Sequence, residues 1–236
     1  MHATAMSNCE RFFEAYVDSF PAKDHLKIIE IGSQDVNGSI RPAAPPEATY
    51  IGVDFVQAKG VDIVLEDPYS LPFADNEADI VLSSSCLEHS EMFWLSFLEM
   101  LRILKPSGLL YINAPSNGLI HRYPVDCWRF YPDSGHALVT WARRNSMNAA
   151  LLESYVCNQS GDQEGWNDFV AVFIKDERFA VKYPKRILQK FAEFQNGAAY
   201  GTKEPLKPND MPEDQAKLLF LAGDIMELVL KVACGR

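Results

Sequence analysis

Five β-rich runs, separated by polar or helical segments, constrain the fold of this chain more than any other feature. They are KIIEI (27–31), TYIGVD (49–54), VDIVL (61–65), DIVLSSS (79–85) and LLYINA (109–114). Continuous apolar runs of this kind are typical of strands buried on both faces, as in a parallel sheet covered by helices. Between the fourth and fifth runs, EMFWLSFLEMLRILKPSG has helical periodicity. The pattern therefore predicts a doubly wound α/β sheet.

Two further β-like runs, 151–157 and 168–176, are joined by a segment rich in glycine and asparagine, which favours a hairpin. A hairpin makes its strands antiparallel, so we predict a Rossmann-like sheet of seven strands whose last strand is antiparallel. We assign residues 1–176 to this domain and residues 177–236 to a helical C-terminal extension. The last helix of that extension is apolar around most of its circumference and must be covered, by the sheet or by a second subunit. We favour a homodimer.

Composition narrows the environment and the partners of the chain. Five cysteines are scattered along 236 residues and form no C-x-x-C pair, which is typical of a reducing cytoplasm. The formal net charge of −10 argues against a nucleic-acid partner, since backbone phosphates require clustered cations. We see no export signal and no uncharged run of about 20 residues that could span a membrane. The sequence predicts a cytoplasmic protein without a membrane or nucleic-acid partner.

The loop GSQDVNGS follows the first β-rich run, where open α/β sheets bind their ligands. A dinucleotide fold would read G-x-G-x-x-G here, but Gln34 stands at the position of the second glycine. Gly32 can adopt a tight turn, although it could also simply end a strand. Gln34 prevents the close approach of a pyrophosphate, so the loop favours a ligand without phosphates at this point.

Three carboxylates lie at the ends of successive predicted strands. Asp54 follows the glycine turn by about 20 residues, where a carboxylate accepts ribose hydroxyls. Asp67 could accept a hydrogen bond from an adenine amino group, and Glu30 could receive a ligand ammonium directly or through water. Each has a simpler interpretation, as a turn residue or as the partner of a lysine. Together they favour a cationic, unphosphorylated nucleoside such as S-adenosylmethionine.

Five segments together resemble the class I S-adenosylmethionine-dependent methyltransferases, and most of all their type 11 group. The segments are IIEIGSQDVNGSIR, YIGVDF, VDIVLEDPYSLPF, ADIVLSSSCLEH and MLRILKPSGLLYINAPS, and the likeness covers about residues 25–115. The resemblance implies S-adenosylmethionine as cofactor, bound by Glu30, Gly32, Ser33, Gln34, Asp54, Phe55, Asp67, Tyr69 and Ser84. The chain departs from the family at Gln34, which replaces a glycine. It also departs at Pro68, which has no N–H, so that Tyr69 would have to supply the main-chain bond to adenine.

Candidates for chemistry lie beyond the fourth and fifth strands, where the methyl acceptor would face the sulfonium. Glu88 and His89 follow the fourth strand. The fifth is followed by NAPSNGLIHRYPVDCWRFYPD, which is longer and richer in aromatic and charged residues than an ordinary connection. We predict that His121 is a general base oriented by Asp126 or Glu88, with His89 and Glu88 as alternative bases. We expect the acceptor to contact Tyr123, Trp128, Arg129 and Tyr131.

The same loop allows other interpretations. Asp126 and Arg129 could form a structural ion pair, and Trp128 could pack beneath the loop. Glu88, His89, His121 and Asp126 are all capable of binding a metal, but their sequence spacing is not diagnostic, and we predict no metal.

The pattern HRYPVDCWRF resembles methyltransferases of surface-polysaccharide and secondary-metabolite pathways. We therefore expect an O-methyltransferase that acts on a small-molecule or sugar-like acceptor. One alternative is a non-catalytic partner subunit that binds S-adenosylmethionine or a nucleoside. A second, an NAD-linked oxidoreductase, is disfavoured by Gln34 and by the predicted hairpin.

Overall fold

Eight strands form one mixed sheet in the computed structural model, which describes residues 3–22, 25–158 and 166–233. The order across the sheet is β3-β2-β1-β4-β5-β7-β6-β8, so the order reverses between β1 and β4. The strands are β1 (Lys27–Ile31), β2 (Thr49–Asp54), β3 (Ile63–Val64), β4 (Ala78–Ser84), β5 (Leu104–Pro115), β6 (Ala150–Cys157), β7 (Asp168–Ile174) and β8 (Phe194–Ala199).

The pairing confirms the predicted fold class. Strands β1 to β5 pair in parallel, and β7 lies antiparallel between β5 and β6. The strand count is the difference, because β8 pairs antiparallel with β6 and adds an eighth strand. The prediction that residues 177–236 form a helical extension is therefore wrong in part, because this segment also contributes a strand to the sheet. The sequence of β8, FQNGAA, contains an Asn-Gly pair that signals a turn, but pairing with β6 satisfies its backbone groups.

Helices cover both faces of the sheet. They are α1 (Ala3–Tyr16) on one face and α2 (Phe93–Ile103) and α3 (Ser134–Arg144) on the other, and a fourth helix, α4 (Glu213–Ala233), follows β8. Side chains from β1 alternate between two cores: Ile28 packs with the residues of α1, whereas Ile29 and Ile31 pack with those of α2 and α3. This alternation explains why the strand is a continuous apolar run, as predicted for a sheet buried on both sides.

A buried carboxylate ties the C-terminal segment to this sheet. Glu153 on β6 is fully buried and accepts a hydrogen bond of 2.6 Å from the hydroxyl of Tyr16 on α1. The N–H groups of Ile187 and Leu188 also donate to it, at 2.7 and 3.0 Å. Since buried charges require partners, these bonds fix the turn that leads the chain into β8.

The helix α4 differs from the other helices in its surroundings. Its side chains from 218 to 231 are all exposed, including Phe220, Ile225 and Leu228. None of the described helices has the length and apolarity that a bilayer crossing would need.

Candidate functional site

A cleft of about 420 Å³ opens at the carboxyl ends of β1, β2 and β4, where the strand order reverses. This volume is in the range of small-molecule sites. The predicted residues that line the cleft come from five separate segments. They are Gly32, Gln34, Asp54, Phe55, Tyr69, Ser84, His89, His121 and Tyr123. The fold thus brings together, around one cleft, residues as distant in the sequence as Gly32 and Tyr123.

The turn after β1 requires a glycine for two reasons. Gly32 has a φ of +82°, a conformation that residues with a Cβ rarely adopt. A Cβ at this position would lie 2.5 Å from both the Cβ and the Sγ of Cys86, which follows β4. The N–H of Gly32 donates to the carbonyl of Val53 on β2, at 2.9 Å. Gly32 therefore allows the loops after β1 and β4 to meet at the floor of the cleft.

The carboxylate of Asp54 lies at the end of β2 and lines the cleft, as predicted. It accepts a hydrogen bond of 3.2 Å from the N–H of Val56, and backbone N–H groups of Gln34 and Phe55 also bond to it. Burial raises the pKa of Asp54 above its usual value. The main chain of Gln34, the residue that replaces a glycine, thus helps to hold the predicted ribose-binding carboxylate.

The predicted adenine contacts are arranged differently. Tyr69 lines the cleft, but its N–H donates to Oδ1 of Asp67 at 2.8 Å, and Asp67 itself does not line the cleft. The N–H of Ser70 bonds to the carbonyl of Asp67 at 3.2 Å. These contacts are those of a turn aspartate, the simpler of the two interpretations of Asp67, and the N–H expected to reach adenine is used within the turn.

Two predicted cofactor residues lie behind the wall of the cleft. Glu30 is 2 % exposed and accepts a hydrogen bond of 2.8 Å from the hydroxyl of Tyr50. Burial raises the pKa of Glu30 to about 7. Ser33 is also buried, against Gly52. A contact of Glu30 with a ligand ammonium stays a prediction, and in this arrangement it would need an intervening water or a movement of the side chain.

On the other side of the cleft, two histidines meet edge to face, with ring centroids 4.8 Å apart. Nδ1 of His89 lies 2.6 Å from the carbonyl of Val125, so it carries the proton and leaves the Nε2 lone pair free. Nδ1 of His121 lies 3.5 Å from Oδ2 of Asp126, which also accepts the N–H of His121 at 2.7 Å. Burial lowers the pKa of His89, which favours its neutral form.

Asp126 is held chiefly by an arginine. Two bonds of 2.5 and 2.8 Å join its carboxylate to the guanidinium of Arg129, which lowers the pKa of Asp126 to about 2. Arg129 also donates to the carbonyl of Leu119 at 2.9 Å. Neither charged residue lines the cleft. The ion pair stabilises the loop, as in the structural interpretation, while Asp126 remains in contact with His121.

Glu88 lies beneath the two histidines and does not line the cleft. It is 1 % exposed, and no hydrogen-bond partner lies within reach of its Oε2 among the described residues. Its Oε1 is 3.7 Å from Nε2 of His89. Burial raises the pKa of Glu88 to about 8. A carboxyl group with this surrounding can hold a proton near neutral pH.

The predicted acceptor platform is only partly present. Tyr123 lines the cleft, but Trp128 does not; it packs against Phe93 and Trp94 at centroid distances of 5.3 and 5.8 Å. Its Nε1 donates to the carbonyl of Ser90 at 2.9 Å. Tyr131 is 59 % exposed and lies outside the cleft. Trp128 is 37 % exposed, so its contact with an acceptor stays a prediction.

Sequence reasoning missed several residues that line the cleft. Ser85 and Cys86 follow β4 directly, and Ser90, Pro124 and Val125 complete the side near the histidines. Ser85 has a φ of +50°, which is uncommon for a residue with a Cβ and is often found at functional sites. The position of Cys86 just after a predicted strand was the one signal that could have found it, since such ends point to ligand sites.

Comparison with known proteins finds methyltransferases that are similar to part of this chain. Residues 42–112 match a family described as a methyltransferase domain. An uncharacterized methyltransferase of Mycobacterium avium is 36 % identical over 83 residues, which is 35 % of this chain and 29 % of that protein. The chain therefore covers less than a third of the length of this curated relative.

Solved structures share the fold at low identity. The 1,6-didemethyltoxoflavin-N1-methyltransferase of Burkholderia thailandensis, solved with S-adenosylhomocysteine, has a TM-score of 0.54 and 14 % identity. The alignment covers 73 % of this chain and 79 % of that protein. The [4+2]-cyclase SpnF has a TM-score of 0.51 and 15 % identity, over 71 % of this chain and 81 % of its own.

Proposed function

We propose that the chain is an S-adenosylmethionine-dependent methyltransferase that transfers a methyl group to an oxygen atom of a small-molecule or sugar-like acceptor, and the match of residues 42–112 to a methyltransferase domain supports this. One observation carries the proposal: a single cleft joins Gly32 and Asp54 on one side to His89, His121 and Tyr123 on the other. The first side suits an adenosyl group, and the second suits an acceptor with a proton to lose.

The residues of the cleft would divide the reaction between them. S-adenosylmethionine, when bound, supplies an electrophilic methyl group, and the acceptor oxygen displaces the thioether in line. Asp54 would accept the ribose hydroxyls. Nε2 of His121 would take the proton of the acceptor hydroxyl, because its Nδ1 faces Asp126. Positioning of the two reactants can supply about 7–11 kcal/mol in well-oriented systems, and a base adds roughly 10²–10⁴-fold.

The acceptor chemistry is inferred from the lining of the cleft. Tyr123 offers an aromatic face, and Ser90 and Glu91 offer groups that hydrogen-bond to hydroxyls. This mixture suits a polar acceptor of the kind used in polysaccharide or secondary-metabolite synthesis. The Burkholderia thailandensis neighbour is named as an N1-methyltransferase, so a nitrogen acceptor is the second candidate.

The test is transfer of a radiolabelled methyl group from S-adenosylmethionine to a panel of sugars, phenols and amines. We expect label in a hydroxyl-bearing acceptor and its loss in the His121→Ala variant.

The neighbour SpnF, which is named as a cyclase, indicates that this fold also occurs in proteins named for other activities. Binding of S-adenosylhomocysteine without transfer to any acceptor would indicate a non-catalytic binding subunit, and binding of NAD alone would indicate an oxidoreductase.

We also propose that α4 pairs with the same helix of a second copy, since its described side chains from 218 to 231 are exposed and mostly apolar. Chromatography with light scattering would show a dimer that Leu221→Lys together with Leu228→Lys converts to a monomer. A monomeric parent protein would contradict the pairing.

The free cysteines at positions 9, 86, 127 and 157 support our proposal of a cytoplasmic location.

A further inference from the structure

Three residues that sequence spacing did not connect offer ligand atoms within 4.8 Å of one another: Glu88, His89 and His121. Two belong to the turn after β4, and the third belongs to the long loop after β5. Two imidazoles and one carboxylate form a donor set found in metal sites of proteins. We propose that this cluster binds a divalent transition-metal ion. The inference rests on the same cleft as the proposed function and deepens it.

The hydrogen bonds of the histidines favour metal binding. A histidine that binds a metal generally donates its other ring N–H to a carbonyl or carboxylate, which fixes the ring and its tautomer. Nδ1 of His89 lies 2.6 Å from the carbonyl of Val125, and Nδ1 of His121 lies 3.5 Å from the carboxylate of Asp126. In both residues Nε2 is left with a free lone pair. Val125 and Asp126 would therefore be the residues that orient the two histidine ligands without touching the ion.

The state of Glu88 is the second, independent observation. Its side chain is 1 % exposed, yet Oε2 has no hydrogen-bond partner within the described chain. A buried carboxylate oxygen without a partner costs free energy unless a proton or a cation satisfies it. Oε1 of the same group is 3.7 Å from Nε2 of His89. A cation between the carboxylate and the imidazoles would satisfy the orphaned oxygen.

The donor set selects the class of ion. Imidazole ligands suit Zn²⁺, Co²⁺, Ni²⁺ and Fe²⁺, whereas Mg²⁺ and Ca²⁺ prefer oxygen. Bonds of about 2.0–2.1 Å in a tetrahedron place ligand atoms roughly 3.3 Å apart, so the cluster must contract by about 1.5 Å. The imidazole of His121 can supply most of this movement, because 39 % of its side chain is exposed.

The open coordination position would face the cleft, since His89 and His121 line it and Glu88 does not. A hydroxyl of the acceptor bound there would lose its proton more readily, because the ion stabilises the alkoxide. With the ion bound, the lone pair of His121 would be a ligand, and the ion would lower the pKa of the bound hydroxyl so that its proton could pass to solvent water in the open cleft. His121 is required in either state.

The test is titration of the chelator-treated full chain with Co²⁺, followed by its visible absorption, and with Zn²⁺, followed by calorimetry. We expect one ion per chain. His89→Ala, His121→Ala and Glu88→Gln should each weaken binding by about tenfold or more. His136→Ala is the control, because His136 lies on the exposed surface of α3 and should leave binding unchanged.

Absence of binding, or equal binding by the parent and His121→Ala, would overturn the proposal. His121→Ala is informative because the residue is partly exposed, so the variant should fold even where Glu88→Gln does not. Calorimetry of S-adenosylhomocysteine on the same samples separates this proposal from the proposed function. A chain that binds this nucleoside but no metal contradicts only the metal site; one that binds metal but no nucleoside contradicts only the methyl-transfer assignment.

Discussion

The two sides of the cleft differ in what holds their polar side chains. On the donor side, which we define as Gly32, Gln34, Asp54 and Phe55, positions are set by strand ends and by main-chain hydrogen bonds. On the acceptor side, which we define as His89, His121 and Tyr123, the histidines are set by contacts within and between loops, such as that of His89 with Val125.

This difference in what holds the side chains determines which part of a site can be inferred from a linear sequence. A residue at the end of a parallel strand points to the ligand edge whatever its neighbours are. A charged residue in a loop can face the ligand or pair with another residue of that loop, as Asp126 does with Arg129. Four experiments test whether the two sides really act separately, beginning with the largest expected effect.

Removal of the base should affect only the acceptor side. His121→Ala should lower kcat by about 10²–10⁴-fold, the usual contribution of a general base, and leave the affinity for S-adenosylhomocysteine within about twofold. The measurement is steady-state kinetics with the acceptor found in the panel, beside calorimetry of the donor product. Tyr131→Phe is the control, because Tyr131 lies outside the cleft. A kcat like that of the parent would remove His121 from the mechanism.

A methyl group at Gly32 should disrupt the donor side. Gly32→Ala combines a strained φ with a clash against Cys86, so the free energy of unfolding should fall by about 2–4 kcal/mol. Gly201→Ala is a matched control, because Gly201 has a φ of +85° and nothing within 4 Å of an added Cβ. It should lose only about 1 kcal/mol, from the backbone strain alone. Equal losses in urea unfolding would show that the contact with Cys86 is unimportant.

The two predicted nucleoside carboxylates should differ in their contribution. Asp54→Asn should weaken S-adenosylhomocysteine binding by about 10–100-fold, since hydrogen bonds to a charged group contribute about 1.5–3 kcal/mol. Asp67→Asn should change the affinity by less than about threefold, because Asp67 lies outside the cleft and bonds to its own turn. Calorimetry of both variants measures this. A larger loss of affinity in Asp67→Asn than in Asp54→Asn would indicate that Asp67 binds the adenine and that Asp54 does not bind the ribose.

The smallest effect concerns the carboxyl group behind the donor side. Folding raises the pKa of Glu30 from 4.5 to about 7, so the folded chain binds this proton more tightly than the unfolded chain. The contribution of Glu30 to the free energy of unfolding is therefore complete below pH 4.5. As the pH rises to 7, on the order of 1–3 kcal/mol of this contribution is lost. Urea unfolding at pH 5 and pH 8 should show a smaller loss in Glu30→Gln than in the parent. An identical loss in both would place Glu30 in a more polar surrounding.

The sequence was sufficient for the sheet because burial on both faces leaves a continuous apolar run, as in β1 and β4. It was sufficient to predict that Gly32 and Asp54 lie at the cleft, because the ends of parallel strands meet at one edge of the sheet. It was insufficient to predict β8, because an Asn-Gly pair is typical of a turn. It was also insufficient to predict that Trp128 packs against Phe93, since aromatic residues occur both in ligand platforms and in packing. The approach of Glu88, His89 and His121 depends on the path of a loop, which their spacing does not encode.

The proposed function depends above all on the donor side, which must hold an adenosyl group without a diphosphate. Isothermal titration of the full chain with S-adenosylhomocysteine, and separately with NAD, tests this claim most directly. We predict one site for S-adenosylhomocysteine, weakened in Asp54→Asn, and no heat of binding for NAD. Saturable binding of NAD, with none for S-adenosylhomocysteine, would contradict the account.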